Sequence, residues 1–129
     1  MRVLVVDDDP DTREVVAEIL GQEGAEIREA ASAQEGVDAV AAFRPNIILS
    51  DIAMPGEDGY GFITKVRALG RAAGGEVPAI ALSALATDDD QRRAVAAGFQ
   101  LHLGKPVDID RLIGAVRELS QRQPVLDGR

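Results

Sequence analysis

Short apolar runs alternate with longer amphipathic stretches along most of the chain, and this alternation is the feature that most limits its fold. Five runs have the length of a strand, and we predict strands over residues 2–7, 26–30, 46–51, 77–83 and 100–103. Each run is followed by a stretch with apolar residues at helical spacing. Chains of this kind form parallel sheets whose strands are joined by helices. The pattern therefore predicts an α/β fold, a doubly wound sheet of five parallel strands with helices on both faces.

Polar residues and helix breakers predict where the helices begin and end. Four amphipathic stretches follow a residue that favours the N-cap position: Asp9, Ser32, Thr87 and Asp108. Pro10 stands at the first helical position, Gly24 and Pro45 prevent helix continuation, and apolar residues at helical spacing between Phe62 and Leu69 mark the third helix. We expect one domain over residues 1–121 and a polar tail over residues 122–129.

Composition excludes several classes of function. The 129 residues are 46% hydrophobic, which is the size and content of one globular domain. The formal charge of −8 and the scattered basic residues argue against direct binding to nucleic acid. No apolar stretch approaches the roughly 20 residues of a membrane span, and the start lacks a signal-peptide pattern, so we expect a cytoplasmic protein. With no cysteine and a single histidine, any metal must be held by oxygen atoms.

The carboxyl ends of the predicted strands carry charged and hydroxyl side chains. Asp7 and Asp8 stand at the end of the first strand, and the other three such residues are Asp51, Ser83 and Lys105. Ligands of doubly wound sheets bind at this edge. Three converging carboxylates repel one another, and one lysine supplies too little positive charge to offset them. Mg²⁺ suits such a site because it binds one or two carboxylates and keeps waters that phosphate oxygens replace. The residues therefore predict Mg²⁺ and phosphate at this edge.

Four motifs at these strand ends carry a resemblance to a known family. They are VVDDDP, SDIAMPGEDGYG, ALSALA and LGKPVD, in this order along the chain. Over residues 1 to about 121 the chain resembles a response-regulator receiver domain of two-component signalling. The resemblance implies a flavodoxin-like sheet in the strand order 2-1-3-4-5 and a cis peptide bond between Lys105 and Pro106.

The resemblance also implies a role for each residue of the site. Asp51 is expected to accept a phosphoryl group from a phosphohistidine on a histidine kinase or phosphotransfer protein. Asp8 is expected to bind Mg²⁺ directly, Asp7 mainly through a water, and Asp51 and the backbone carbonyl of Ala53 to complete the protein ligands. Lys105 and the metal would neutralise the phosphoryl oxygens. The domain is then not an enzyme with a separate substrate, because it catalyses only its own phosphorylation and dephosphorylation.

Two further expectations concern switching and phosphoryl lifetime. In the family, phosphorylation draws the hydroxyl at the position of Ser83 inward, and an aromatic three residues before the lysine then turns, changing the surface of helix four, strand five and helix five. Here His102 stands at that aromatic position, and we weigh a switch residue equally against a partly exposed strand side chain. Ala53 and Leu85 flank the expected path of the hydrolytic water without a polar side chain, which predicts slow hydrolysis.

Other classes of function fit the sequence less well. An aspartate-nucleophile phosphatase of the haloacid dehalogenase type needs Thr or Val where the chain has Asp11. A dinucleotide-binding module needs a glycine-rich turn that VVDDDP lacks. A receiver-like module without phosphorylation would be expected if Asp51, Asp8 or Lys105 were replaced, and all three are present. Whether the chain is free-standing or part of a hybrid kinase stays open.

Overall fold

Five parallel strands form one sheet in the computed structural model, which describes residues 1–84 and 87–121. The strands are Arg2–Val6 (β1), Glu26–Ala30 (β2), Ile47–Asp51 (β3), Ala79–Ser83 (β4) and Leu101–Gly104 (β5). All neighbouring strands pair in parallel, in the order β2-β1-β3-β4-β5. The predicted fold class and strand order are therefore confirmed.

Five α-helices connect or follow the strands. They are Pro10–Gln22 (α1), Ala33–Phe43 (α2), Gly59–Ala68 (α3), Asp88–Ala97 (α4) and Ile109–Ser120 (α5), with a 3₁₀ turn at Arg71–Ala73. The four predicted N-caps are confirmed, because each side chain accepts a hydrogen bond from a backbone N–H of the first helical turn. The helix α3 begins after Asp58, an N-cap that the sequence analysis did not identify.

Two hydrophobic cores cover the two faces of the sheet. Along β1, Leu4 and Val6 contact the core formed with α2, α3 and α4, whereas Val3 and Val5 contact the core formed with α1 and α5. Successive side chains of a strand point to opposite faces, so a strand that is covered on both faces must be apolar at every position. This explains why the central strands are continuous apolar runs rather than alternating ones.

The strand boundaries differ slightly from the predicted ones. β1 ends at Val6 rather than Asp7, although the Asp7 N–H still donates to the Ala30 carbonyl at 3.1 Å. β3, β4 and β5 begin one or two residues later than predicted, and β5 ends one residue later, at Gly104. Leu85 and the predicted tail, residues 122–129, lie outside the described residues. Among the described helices, none is long and apolar enough to cross a membrane.

Candidate functional site

Three aspartates meet at the carboxyl edge of the sheet. Val6 of β1 lies opposite Ser50 of β3, so the residues that follow them, Asp7 and Asp51, leave neighbouring strands side by side. One carboxylate oxygen from each of Asp7, Asp8 and Asp51 lies within 4.8 Å of the others. Asp7 and Asp51 are buried and Asp8 is exposed. A cluster of oxygen ligands that is open to solvent on one side fits a hard divalent cation that keeps some of its waters.

A lysine from the far side of the sheet reaches this cluster. The Nζ of Lys105 lies 3.2 Å from Oδ2 of Asp7 and 3.2 Å from Oδ1 of Asp51. Its backbone N–H donates to the Ser83 carbonyl at 2.8 Å, which fixes the start of the loop after β5. The Lys105–Pro106 peptide bond is cis, as the resemblance implies. The structure therefore brings together the lysine and the carboxylates that the sequence analysis had assigned to one edge.

Burial and charge shift the pKa values of the groups in this cluster. Burial, with the Asp7 charge adding to it, raises the pKa of Asp51, and Lys105 only partly opposes this effect. For Lys105, burial alone would lower the pKa, but the charges of Asp7 and Asp51 outweigh burial and raise it. The lysine thus stays protonated at neutral pH. One ammonium group does not offset three carboxylates, so the site favours a further positive charge.

The third aspartate of the VVDDDP motif has a structural role. The Asp9 side chain accepts hydrogen bonds from the Asp11 N–H at 3.1 Å and the Thr12 hydroxyl at 2.7 Å. The Thr12 bond is the main reason why the pKa of Asp9 is lowered. The backbone N–H of Asp9 in turn donates to Oδ1 of Asp7 at 2.9 Å. Asp9 therefore caps α1, and its backbone positions the Asp7 carboxylate.

Gly59 positions Asp51 and was not predicted from the sequence. The N–H of Gly59, at the start of α3, donates to the Ile52 carbonyl at 2.8 Å. A Cβ atom at Gly59 would lie 2.4 Å from the Asp51 carbonyl oxygen. Only glycine allows the helix to approach the end of β3 so closely. The sequence signal that could have identified it is a glycine directly after the capping Asp58, because most other residues are acceptable at the first position of a helix.

Ser83 and His102 lie on the two strands farthest from Asp7. Ser83 is buried at the end of β4 and lies opposite Gly104 of β5. His102 is only 4% exposed, so the interpretation as a partly exposed strand side chain is wrong. It is buried because its side chain points away from the core that contains Leu103, toward the face that α4 covers. In the described part of the chain, neither ring nitrogen has a hydrogen-bond partner.

Fold and site together define an α/β domain with an acidic, oxygen-rich cluster at the carboxyl edge of its sheet. The family model of the response regulator receiver domain matches residues 3–117. The chain therefore belongs to the response regulator receiver domain family of two-component systems. This confirms the resemblance carried by the four strand-end motifs.

Individual relatives agree with this family. The chain is 42% identical over 118 residues to an uncharacterized 14.6 kDa protein of Leptolyngbya boryana, which covers 92% of this chain and 88% of that protein. It is 36% identical over 113 residues to the sensor histidine kinase RcsC of Escherichia coli K12, covering 85% of this chain but only 11% of the kinase. The receiver domain of the Francisella response regulator 1452 superposes with a TM-score of 0.85 at 27% identity, covering 94% of this chain and 97% of that domain.

Proposed function

We propose that this chain is a phosphoacceptor receiver domain of a two-component phosphorelay, and that Asp51 receives the phosphoryl group. The observation that carries the proposal is the meeting of Asp7, Asp8 and Asp51, each with one carboxylate oxygen within 4.8 Å of the others. The Lys105 ammonium lies 3.2 Å from an oxygen of Asp7 and 3.2 Å from an oxygen of Asp51. Phosphoryl transfer needs chiefly positioning and neutralisation of charge, and these residues supply both.

The donor set fits Mg²⁺ as the cofactor. Asp8 and Asp51 would bind the ion through their carboxylates, Asp7 through a water, and Ala53 through its backbone carbonyl. The ion supplies positive charge to the oxygens of the transferred phosphoryl group. Asp8 suits a direct ligand because its carboxylate is exposed, whereas the Asp7 carboxylate is engaged by the Asp9 N–H and by Lys105.

The chain's own residues would then carry out the transfer. A carboxylate oxygen of Asp51 forms a bond to phosphorus while the bond between phosphorus and the donor imidazole nitrogen breaks. The raised pKa of Lys105 keeps its ammonium group charged beside Asp51, where negative charge accumulates on the phosphoryl oxygens. Hydrolysis of the acyl phosphate returns Asp51 to its starting state. The domain is therefore proposed to act on itself and not on a separate substrate.

The proposed donor of the phosphoryl group is a histidine kinase or a phosphotransfer protein, and the transfer would take place in the cytoplasm. The name of the Escherichia coli relative, a sensor histidine kinase of which this chain matches 11%, favours such a partnership. Phosphorylation would reach the surface of α4, β5 and α5 through Ser83 and His102. Both side chains are buried, Ser83 at the end of β4 and His102 within β5, which supports the proposal. A receiver-like module without phosphorylation is disfavoured because the acceptor, the metal ligand and the lysine are all present.

Intact mass spectrometry after incubation with acetyl phosphate and Mg²⁺ tests the proposal. The parent protein should gain the mass of one phosphoryl group, and this gain should disappear in Asp51→Asn and after removal of the metal. Asp110→Asn, which removes an exposed carboxylate at the start of α5, is the matched control and should be labelled like the parent. Labelling of Asp51→Asn to the same extent as the parent would show that another residue is the acceptor.

A further inference from the structure

A second charged site lies at the opposite, amino edge of the sheet. Arg2 begins β1, Arg44 follows the end of α2, and Arg71 begins the 3₁₀ turn before β4. These three residues line a cavity of about 260 Å³, hereafter the arginine cavity. Because all strands are parallel, their amino ends share this edge, and the cavity is separated from Asp51 by the length of the sheet. It is therefore not part of the site described above.

Main-chain carbonyl groups hold two of the guanidinium groups in place. The Nε and Nη2 atoms of Arg2 donate to the Arg44 carbonyl at 3.1 and 2.8 Å. Nη1 of Arg44 donates to the Ala72 carbonyl at 2.8 Å. These bonds restrict the positions of the side chains before any ligand binds, which lowers the entropy that a ligand must overcome. Each guanidinium has five N–H groups, so donors remain on both.

The charges around the arginine cavity do not balance. In residues 1–84 and 87–121, neither Arg2 nor Arg44 forms an ion pair with a carboxylate, and Arg71 lies 3.8 Å from Glu76 in an exposed pair. Among the described residues that line the cavity are three arginines and one glutamate, which give a charge of 3 − 1 = +2. The chain as a whole carries −8. A local excess of positive charge on an acidic protein attracts anions to this one place.

We propose that the arginine cavity binds a compact dianion of phosphate chemistry, such as inorganic phosphate or a small phosphomonoester. Guanidinium groups match phosphate oxygens because their paired N–H donors bind two oxygens at once. A dianion neutralises the excess of +2, whereas a monoanion does not. The volume of about 260 Å³ lies just below the roughly 300–1,000 Å³ of pockets for drug-sized ligands, so it suits an anion smaller than a nucleotide.

Titration of inorganic phosphate into the metal-free protein, at constant ionic strength, tests this site. Binding is followed by the NMR signals of the arginine Nε–H groups, and those of Arg2 and Arg44 should shift in a saturable way. Arg71→Gln should weaken phosphate binding about tenfold, because it removes one charged donor whose ion pair with Glu76 is exposed and long, at 3.8 Å. Glu76→Gln should tighten binding, because it removes the carboxylate that lines the cavity.

Two control variants distinguish phosphate binding in the arginine cavity from general electrostatic attraction and from binding at Asp51. Arg92→Gln, on the exposed face of α4, changes the net charge by the same amount as Arg71→Gln and should leave phosphate binding unchanged. Asp51→Asn should also bind phosphate like the parent, so failure of this proposal is distinct from failure of the phosphoacceptor proposal. Acetate, a monoanion, should bind at least tenfold more weakly than phosphate.

Several outcomes would overturn the assignment. One is the absence of saturable shifts in the Nε–H NMR signals of Arg2 and Arg44. A second is an equal effect of Arg71→Gln and Arg92→Gln, which would indicate general electrostatic attraction. A third is acetate binding as tight as phosphate binding, and a fourth is loss of phosphate binding in Asp51→Asn, which would place the anion at the other edge.

Discussion

Gly59 lies so close to the carboxyl end of β3 that even the methyl group of alanine does not fit between the two. A Cβ atom at this position would lie 2.4 Å from the Asp51 carbonyl oxygen and 2.7 Å from the Ile52 Cα. Real Cβ atoms essentially never approach other atoms within 3.0 Å, so the two groups would have to separate by 3.0 − 2.4 = 0.6 Å or more. Both neighbours are backbone atoms, which cannot turn aside as a flexible side chain would.

Gly59→Ala is therefore expected to destabilise the fold and to displace Asp51. Forcing extra volume into a well-packed site costs about 1–3 kcal/mol. The hydrogen bond from Gly59 N–H to the Ile52 carbonyl, 2.8 Å in the parent, lies in the same contact, and its loss would add about 0.5–1.5 kcal/mol. We expect the free energy of unfolding to fall by about 2–4 kcal/mol. Mg²⁺ affinity and the rate of phosphorylation by acetyl phosphate should fall as well.

Urea unfolding of the metal-free proteins measures this change, and Gly114→Ala is the matched control. Gly114 lies within α5, and a Cβ atom there would have no atom within 4 Å. Alanine at this helical position should raise the free energy of unfolding by about 0.5–1 kcal/mol. If Gly59→Ala proved as stable as Gly114→Ala and was phosphorylated at the parental rate, the close approach of α3 to β3 would not position Asp51.

Four other substitutions test the site and its surroundings. Asp8→Ala should weaken Mg²⁺ binding in a metal titration, whereas Lys105→Ala should retain it while slowing phosphorylation; unchanged Mg²⁺ affinity in Asp8→Ala would contradict the ligand assignment. His102→Leu removes two buried nitrogens that have no hydrogen-bond partner among residues 1–84 and 87–121, and it should raise the free energy of unfolding by about 1–3 kcal/mol. Calorimetry showing a loss of stability would refute this reasoning. Because the pKa of Asp51 is raised in the folded state, its ionised form costs stability at neutral pH, and this cost disappears as the pH falls below the ordinary value of 3.8. Metal-free Asp51→Asn should therefore be more stable than the parent at pH 7, and unfolding curves should show that this difference in stability shrinks in acid. A difference in stability that grew in acid would contradict a raised pKa of Asp51.

The sequence by itself determined the sheet and the residues at its carboxyl edge. Continuous apolar runs such as those at β3 and β4 indicate strands buried on both faces, and residues that follow such strands must share one edge when the strands are parallel. This local information was sufficient to place Asp7, Asp8, Asp51 and Lys105 together. The N-caps at Asp9 and elsewhere were predictable for the same reason, since a cap depends only on the next three residues.

Only the tertiary structure decided features that depend on contacts between distant segments. The ion pair between Lys105 and Asp7 joins residues that are 98 positions apart, and its length depends on strand register and on the loop after β5. The burial of His102 depends on the packing of α4 across β5, and the role of Gly59 depends on how closely α3 approaches β3. The arginine cavity likewise joins the ends of three elements. Hydrophobic periodicity specifies which face of an element is buried, but not the distance between two elements, and these features depend on that distance.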